Sequence, residues 1–480
     1  MIALSAIAPV IGALACGLLA AGSLSAQIAR PAAAPFSKPS TPPAAQEPVT
    51  NTLPWPQLLQ LSRIKRRMAD NLRRQPDYTC LETIERSQRR KPTRKFEMVD
   101  VLRLEVALVR GGEMFAWPGA KKFEDSDPRK FVPSGAIGNG YFAMHARSVF
   151  LSDAPVFTYV GPETLAGRAT VRYDYRIPLL SSGYLLKMGE RGAIVGYHGS
   201  FWASAATLDV LRLLVDADDI PVSLGIANAD TEIDYERMKI GANDFLLPAA
   251  SELILTDLAG SESRNRMRFT SCRQYKGESV LSFADLPPAT PEPAAPDTQR
   301  EIQLPPGLWI EAGLEQKIDS RTAAVGDPVR AVIHHDIKHD RRVLIPKGAE
   351  LVGRITRLEH FNSMYAVAIS CSSIRFRAGS AAFAGELQEI GVPSRPGESL
   401  IVGPGGDRFS RPSFRSVQDL RQRDRAMIPG TFYILGDRVQ LPRGFRMVWR
   451  TESPPAMAAP SRPEDAQTST ANTNVKEEKP

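Results

Sequence analysis

Residues 58–86 read LLQLSRIKRRMADNLRRQPDYTCLETIER, and one proline divides two different patterns. Up to Arg74 the apolar residues Leu58, Leu61, Ile64, Met68 and Leu72 fall within about 120 degrees of helical arc, with Lys and Arg filling the rest. The spacing predicts a helix over residues 56–74 that lays one apolar stripe on a partner surface and stops before Pro76. Beyond it, YTCLETIER reads as a strand.

Further strands follow. EMVDVLRLEVALVR, ATVRYDYRIP, AIVGYHGSFWA, LDVLRLLVD, IDYERMKIG, DFLLPAASELILT and NRMRFTSCRQY set Val, Leu, Phe or Tyr against charged residues between Gly and Pro breaks. That is the pattern of an antiparallel sheet with one buried face. A second series runs from LPPGLWIEAGLEQKIDSRTAAVGDPVRAVI through RVLIPKGAELVGRITRLE, MYAVAISCSSIRFR and AAFAGELQEI to FYILGDRVQLPRGFRMVWRT. Its short alternating strands, joined by Gly, Pro and Asp turns, predict an all-β barrel or sandwich.

At 480 residues the chain exceeds one ordinary core, and its 39 prolines cluster outside the periodic segments. They divide it into a signal peptide or anchor (1–26), a linker (27–53), a first domain (54–285), a second linker (286–303), a second domain (304–452) and a disordered tail (453–480). The opening MIALSAIAPVIGALACGLLAAGSLSAQIAR carries no charged side chain before Arg30 and ends in small residues. The chain is therefore expected to be exported to the periplasm or cell envelope, with a cut near Ala26 or with the segment kept as an uncleaved anchor.

Export permits disulfides. Cys80 lies in the first strand of the sheet and Cys272 in the last; where the sheet's edges close against each other or the helix, these two can bond. Cys371 is then left as a buried small apolar residue. The net charge of +7 concentrates between residues 62 and 97, which suits either a solvated basic surface or contact with anionic lipid. For an exported chain nucleic acid is not an expected partner.

The helix running into a Tyr-bearing strand, together with GSFWASAATLDVLRL, resembles the periplasmic lipoprotein-carrier (LolA/RseB-like) fold. That resemblance implies a helix on a curved antiparallel half-barrel, which in the family encloses an apolar cavity for acyl chains; a filled core is the other reading. The order LPPGLWI, DS, GDPV, LIPKGAELVGRI and VQLPRGF resembles the TrbI-like barrel of conjugative secretion machines, which implies a small all-β barrel and assembly in the envelope. That family carries an apolar or amphipathic hairpin late in the barrel. Residues 391–425 are instead polar and basic, so no channel is implied.

Candidate chemistry is sparse. VIHHDIKHD, residues 332–340, holds three of six histidines. On a strand His334 and His335 point to opposite faces, and His335 lies about 13 Å from His339, too far for one ion. Parity with Ile333 and Ile337 places His335 half in the core, with His334 and His339 at the surface. Ser62 and Lys65 match a Ser-Lys spacing, but companion motifs are missing. GAIGNG, residues 135–140, lacks the strand-helix context of a phosphate loop and reads as a mobile loop. His198 and Ser200 face one way without an evident acid partner, and Asp216–Pro221 reads as a turn.

The expected protein is mainly β, with two domains, and is not an enzyme; no catalytic, metal or cofactor site is assigned. It is read as a non-catalytic envelope binding or scaffold protein, its two modules on flexible tethers, with envelope proteins as partners. The alternative is a lipid or lipoprotein carrier or sensor. The oligomeric state and the ligand-binding residues are left open.

Overall fold

The computed structural model describes residues 53–120, 122–123, 126–132, 134–138, 144–275, 300–361, 364–391, 401–402 and 428–452. The expected signal segment, the Pro-rich linkers up to residues 52 and 299, and the tail lie outside them.

Helix α1 spans Trp55–Arg74, with a proline in its first turn where no intrahelical N–H is needed. Leu61, Ile64, Met68 and Leu72 are buried and Leu58 is half-buried, as the apolar stripe requires. The chain then builds one sheet from β1 (Tyr78–Arg89), β2 (Glu97–Val109), β3 (Gly112–Ala116), β4 (Val156–Leu165), β5 (Arg168–Ile177) and β6 (Tyr184–Met188). It continues with β7 (Arg191–Ser204), β8 (Val210–Asp218), β9 (Ile226–Ile240), β10 (Asn243–Asp257) and β11 (Glu262–Gln274). The order is β3-β2-β1-β11-β10-β9-β8-β7-β5-β4, with β6 on β7. Eight of the long strands are visible in sequence; the ten-residue β4, the short β3 and β6 and the seven-residue helix α2 (Met144–Phe150) are not.

The sheet curls into a half-barrel because extra residues bend its strands. Register shifts interrupt β1 at Thr79/Leu81, β4 at Tyr159/Gly161 and β10 at Pro248/Ala250. The last explains how a proline is tolerated inside a central strand. Helix α1 is tied across the concave face near both of its ends. Tyr173 Oη on β5 donates to the carbonyl of Gln57 at 2.9 Å. At the other end Asn71 Nδ2 donates to the carbonyl of Leu246 at 2.9 Å, and its Oδ1 accepts from the Leu246 amide at 2.8 Å. Pairing of β10 with β11 begins only at Ala250, so Asn71 supplies the partners that the ladder no longer offers.

Between helices and sheet the described interior is occupied by aromatic rings. Tyr173 stacks on Phe201 at 5.4 Å, and Phe150 meets Phe201 edge-on at 5.2 Å. A Cβ at Gly199 would lie 2.0 Å from the Leu214 carbonyl oxygen, the acceptor for Tyr175 Oη at 2.6 Å. Only glycine fits there. His145 of α2 sits among these rings, 5.2 Å from Tyr184, and burial lowers its pKa to about 4. The unfolded chain therefore binds a proton that the folded one does not, and stability is lost as pH falls from about 6.5 toward 4, by up to about 1.4 kcal/mol per pH unit. Asp230, pushed up to about 6 by burial, acts in the opposite sense over part of that window. The readout is thus a difference: in denaturant titrations at neutral and acid pH, His145→Phe should lose less stability on acidification than the parent. Equal losses would refute this role.

The second sheet has ten strands: β12 (Arg300–Gln303), β13 (Trp309–Leu314), β15 (Pro328–Ile333), β18 (Glu350–Phe361), β19 (Met364–Phe376), β20 (Gly379–Ala382), β21 (Gly385–Ile390), β22 (Ile401–Val402), β23 (Phe432–Leu435) and β25 (Arg446–Thr451). Two small ladders join β14 (Ile318–Asp319) to β24 (Gln440–Leu441) and β16 (Ile337–His339) to β17 (Arg342–Ile345). Trp449, Phe432 and Leu351 are fully buried within this half.

The sequence suggested modules separated by a tether, but the two sheets touch directly. The Arg103 amide donates to the Val325 carbonyl and the Val325 amide to the Val101 carbonyl, both at 2.8 Å, a parallel bridge that joins the sheets. Arg103 also pairs with Asp327. At Gly326 (φ 98°) a Cβ would lie 2.4 Å from the Arg103 carbonyl oxygen, so this approach requires glycine. Alongside runs a buried ionic chain. Arg86 holds Asp100 in two bonds and donates to the Ser134 carbonyl; Ser134 Oγ donates to Glu359 at 2.8 Å, and Glu359 is paired with Arg357 at 2.8 Å. Burial alone would lower the Arg86 pKa, but the charge and hydrogen bonds of Asp100 outweigh it.

Candidate functional site

A groove of about 320 Å³ beside α1 is lined by five arginines. Residues 63, 66, 67, 70 and 74 recur at spacings of three and four, so they share one helical face opposite the buried stripe. Arg63, Arg66, Arg67 and Arg74 line the groove from that face, and Arg237 reaches it from β9. A turn between β7 and β8 organises the floor: the Ser204 amide donates to the Asp209 carbonyl at 2.9 Å, and Leu208 adopts a left-handed backbone (φ 61°). This turn buries Asp209, which accepts from Arg67 Nε at 2.6 Å and from Arg237 at 2.9 and 2.7 Å. Burial pushes the Asp209 pKa up, yet the bonds from Arg237 and Arg67 outweigh it and hold the carboxyl below the usual range.

Asp209 is thus a strut that fixes two guanidinium groups. Arg74 donates only to the backbone of its own helix, and Arg63 and Arg66 project without an acidic partner among the described residues. The helical arginines are legible in sequence as a basic face. Arg237 and Asp209 are not, because they come from 142 and more residues away and face the helix only through the curl of the sheet.

The residues singled out in sequence do not assemble a reaction centre. Ser62 is exposed, while Lys65 turns to the Ser152 carbonyl at 3.3 Å and lies over the Phe157 ring. His198 and Ser200 each have a carboxylate after all, but different ones: His198 Nδ1 meets Asp218 at 2.9 Å and Ser200 Oγ donates to Asp174 at 2.6 Å. Asp216 and Asp218 belong to β8, so the turn expected at 216–221 begins only after Asp218.

For the histidines one expectation is reversed. Strand β15 ends at Ile333, which removes the parity argument; His335 is exposed, and His334 is the half-buried one, with its ring 3.4 Å from Glu311. Gly313 makes that room, since a Cβ there would lie 2.7 Å from His334 Nε2. His339 is exposed next to a two-residue turn in which Asp340 and Arg341 have positive φ. Among the described residues no group of three His, Cys, Asp or Glu could hold a metal ion.

In the expected loop 135–140, Ala136 accepts from Asn265 at 3.1 Å and the neighbouring Ser134 joins the ionic chain, so its described part packs on the sheets; residues 139–140 lie outside the described ones. Cys371 is buried, and burial pushes its thiol up to about 12. Cys80 and Cys272 form a disulfide.

No family model matches the chain, and no curated protein matches it. Solved structures similar to it include a domain from Vibrio parahaemolyticus described as an outer membrane lipoprotein-sorting protein, at 13% identity over 45% of this chain and 93% of that one, with a TM-score of 0.26. A DUF1329 family protein from Desulfovibrio piger is similar at 16% identity over 47% of this chain and 95% of that one, with a TM-score of 0.24. A LolA superfamily protein from Nitrosomonas europaea is similar at 10% identity over 45% of this chain and 94% of that one, with a TM-score of 0.23. The resemblance of the second block to TrbI-like barrels has no support among these comparisons.

Proposed function

We propose that this chain is a non-catalytic, exported cell-envelope protein that works as a binding or scaffold module within an envelope assembly. The observation that carries the reading is the junction: backbone bridge, Arg103–Asp327 pair and buried ionic chain join the two sheets into one body suited to presenting surfaces. The packed aromatic interior supports a scaffold over an open container. Among the described residues no helix is long and apolar enough to cross a membrane. Crosslinking in living cells followed by isolation of the native protein tests this; other envelope proteins should be captured, and recovery of the chain always free of them overturns it.

A second reading, a lipid or lipoprotein carrier, is favoured by the position of α1, which lies over the concave face and is tied near its ends by Gln57 and Asn71 like a lid. Mass spectrometry of the purified protein separates the two. A reproducibly copurifying lipid supports the carrier, and a lipid-free protein rejects it.

A further inference from the structure

We propose that the arginine-lined groove beside α1 is a binding site for a phosphate-bearing anion, an inference that rests on the reading of the chain as an envelope binding protein. Three features separate the groove from an ordinary solvated helix face. Its cations converge from two elements, since Arg237 of β9 faces the α1 arginines across the opening. Two of them are fixed before any ligand arrives, because buried Asp209 accepts three bonds from Arg67 and Arg237. And cations outnumber carboxylates: five guanidinium groups converge on the opening, against Asp70 at the rim, Asp209 beneath and Asp244 near Arg237.

A guanidinium presents a rigid fork that matches pairs of phosphate oxygens, and several forks around one opening suit a group with three or more oxygens better than a single carboxylate. A volume of about 320 Å³ admits a phosphate with a small substituent. The ligand's phosphate could belong to an anionic lipid headgroup or to a soluble phosphate compound.

The basic turn between β1 and β2 provides the comparison. Arg90 and Arg94 are exposed, as are Arg63 and Arg66, but they do not line this groove. The full-length chain should bind vesicles of phosphatidylglycerol mixed with phosphatidylcholine in preference to vesicles of phosphatidylcholine alone. Apolar residues 1–26 contribute alike to both vesicle types, so the selectivity is the readout. Arg63→Glu with Arg66→Glu should reduce that selectivity roughly tenfold or more, whereas Arg90→Glu with Arg94→Glu should change it by less than about threefold. Calorimetry with inorganic pyrophosphate forms the second arm: vesicle selectivity without pyrophosphate binding assigns a lipid headgroup, and pyrophosphate binding that is lost in the groove variant assigns a soluble phosphate. Equal losses in the two variants, or no binding in either arm, overturn the proposal. Capture of envelope proteins in the crosslinking experiment would be untouched by that failure.

Discussion

Asp100→Ala should destabilise the folded protein by about 3–5 kcal/mol, measured as the free energy of unfolding in urea at neutral pH. The effect comes less from the attraction that is lost than from the charge left behind. Arg86 is 3% exposed, and Asp100 takes two of its guanidinium bonds. Without Asp100 the cation keeps, among the described residues, the Ser134 carbonyl as a direct partner and the charge of Glu359 at longer range. Replacing both members, as Arg86→Met with Asp100→Leu, removes the buried charge as well as its partner and should recover more than half of the loss. The position of the pair adds a second expectation. Because the chain Arg86–Ser134–Glu359 reaches the second sheet, the variant should also weaken coupling between the sheets, and its unfolding should separate into two transitions. A loss below about 1 kcal/mol, with a single transition, would show that the ionic chain does not hold the sheets together.

What was legible in the sequence was whatever depends on near neighbours. The stripe of Leu61, Ile64, Met68 and Leu72 fixed the helix and its buried face, and alternation fixed the long strands of the first sheet other than β4. Alternation misleads where a regular element stops unannounced. Parity placed His335 inside because it assumed a strand through residues 332–339, whereas β15 ends at Ile333 and His334 turns inward to Glu311. Strand β4 was missed because VFTYVGPETL carries a bulge and a proline that obscure its alternation. The groove was half legible: four arginines on one helical face are a local pattern, but Arg237 and the Asp209 strut depend on how the curled sheet returns beneath the helix. The junction was not legible at all. Arg103 and Asp327 are 224 residues apart, and nothing local distinguishes either from an ordinary surface charge.

Breaking the disulfide should lower stability by about 5 kcal/mol in the chain-entropy account, the largest effect expected from any single bond here. Cys80 and Cys272 are separated by 192 residues, so the bond closes a loop of nearly the whole first sheet in the unfolded chain. In the folded chain it constrains little that is not already constrained. Strands β1 and β11 are neighbours, paired from Tyr78 with Gln274 to Arg89 with Glu262, and the bond sits at the bulge between Thr79 and Leu81. First and last in chain order, the two strands are expected at edges that close on each other or on the helix; in the fold they lie side by side inside the sheet, where β11 returns beside β1. The stabilisation should therefore come mainly from restricting the unfolded ensemble, and this has its own signature. Cys80→Ala with Cys272→Ala should leave the folded structure and the groove unchanged while the denaturant m-value rises, because the uncrosslinked chain exposes more surface when it unfolds. Unfolding of the oxidised protein, the reduced protein and the double variant in urea measures both quantities. Equal stabilities for all three would refute the entropic account, and a loss of stability with an unchanged m-value would instead place the effect in the folded contacts around the bulge.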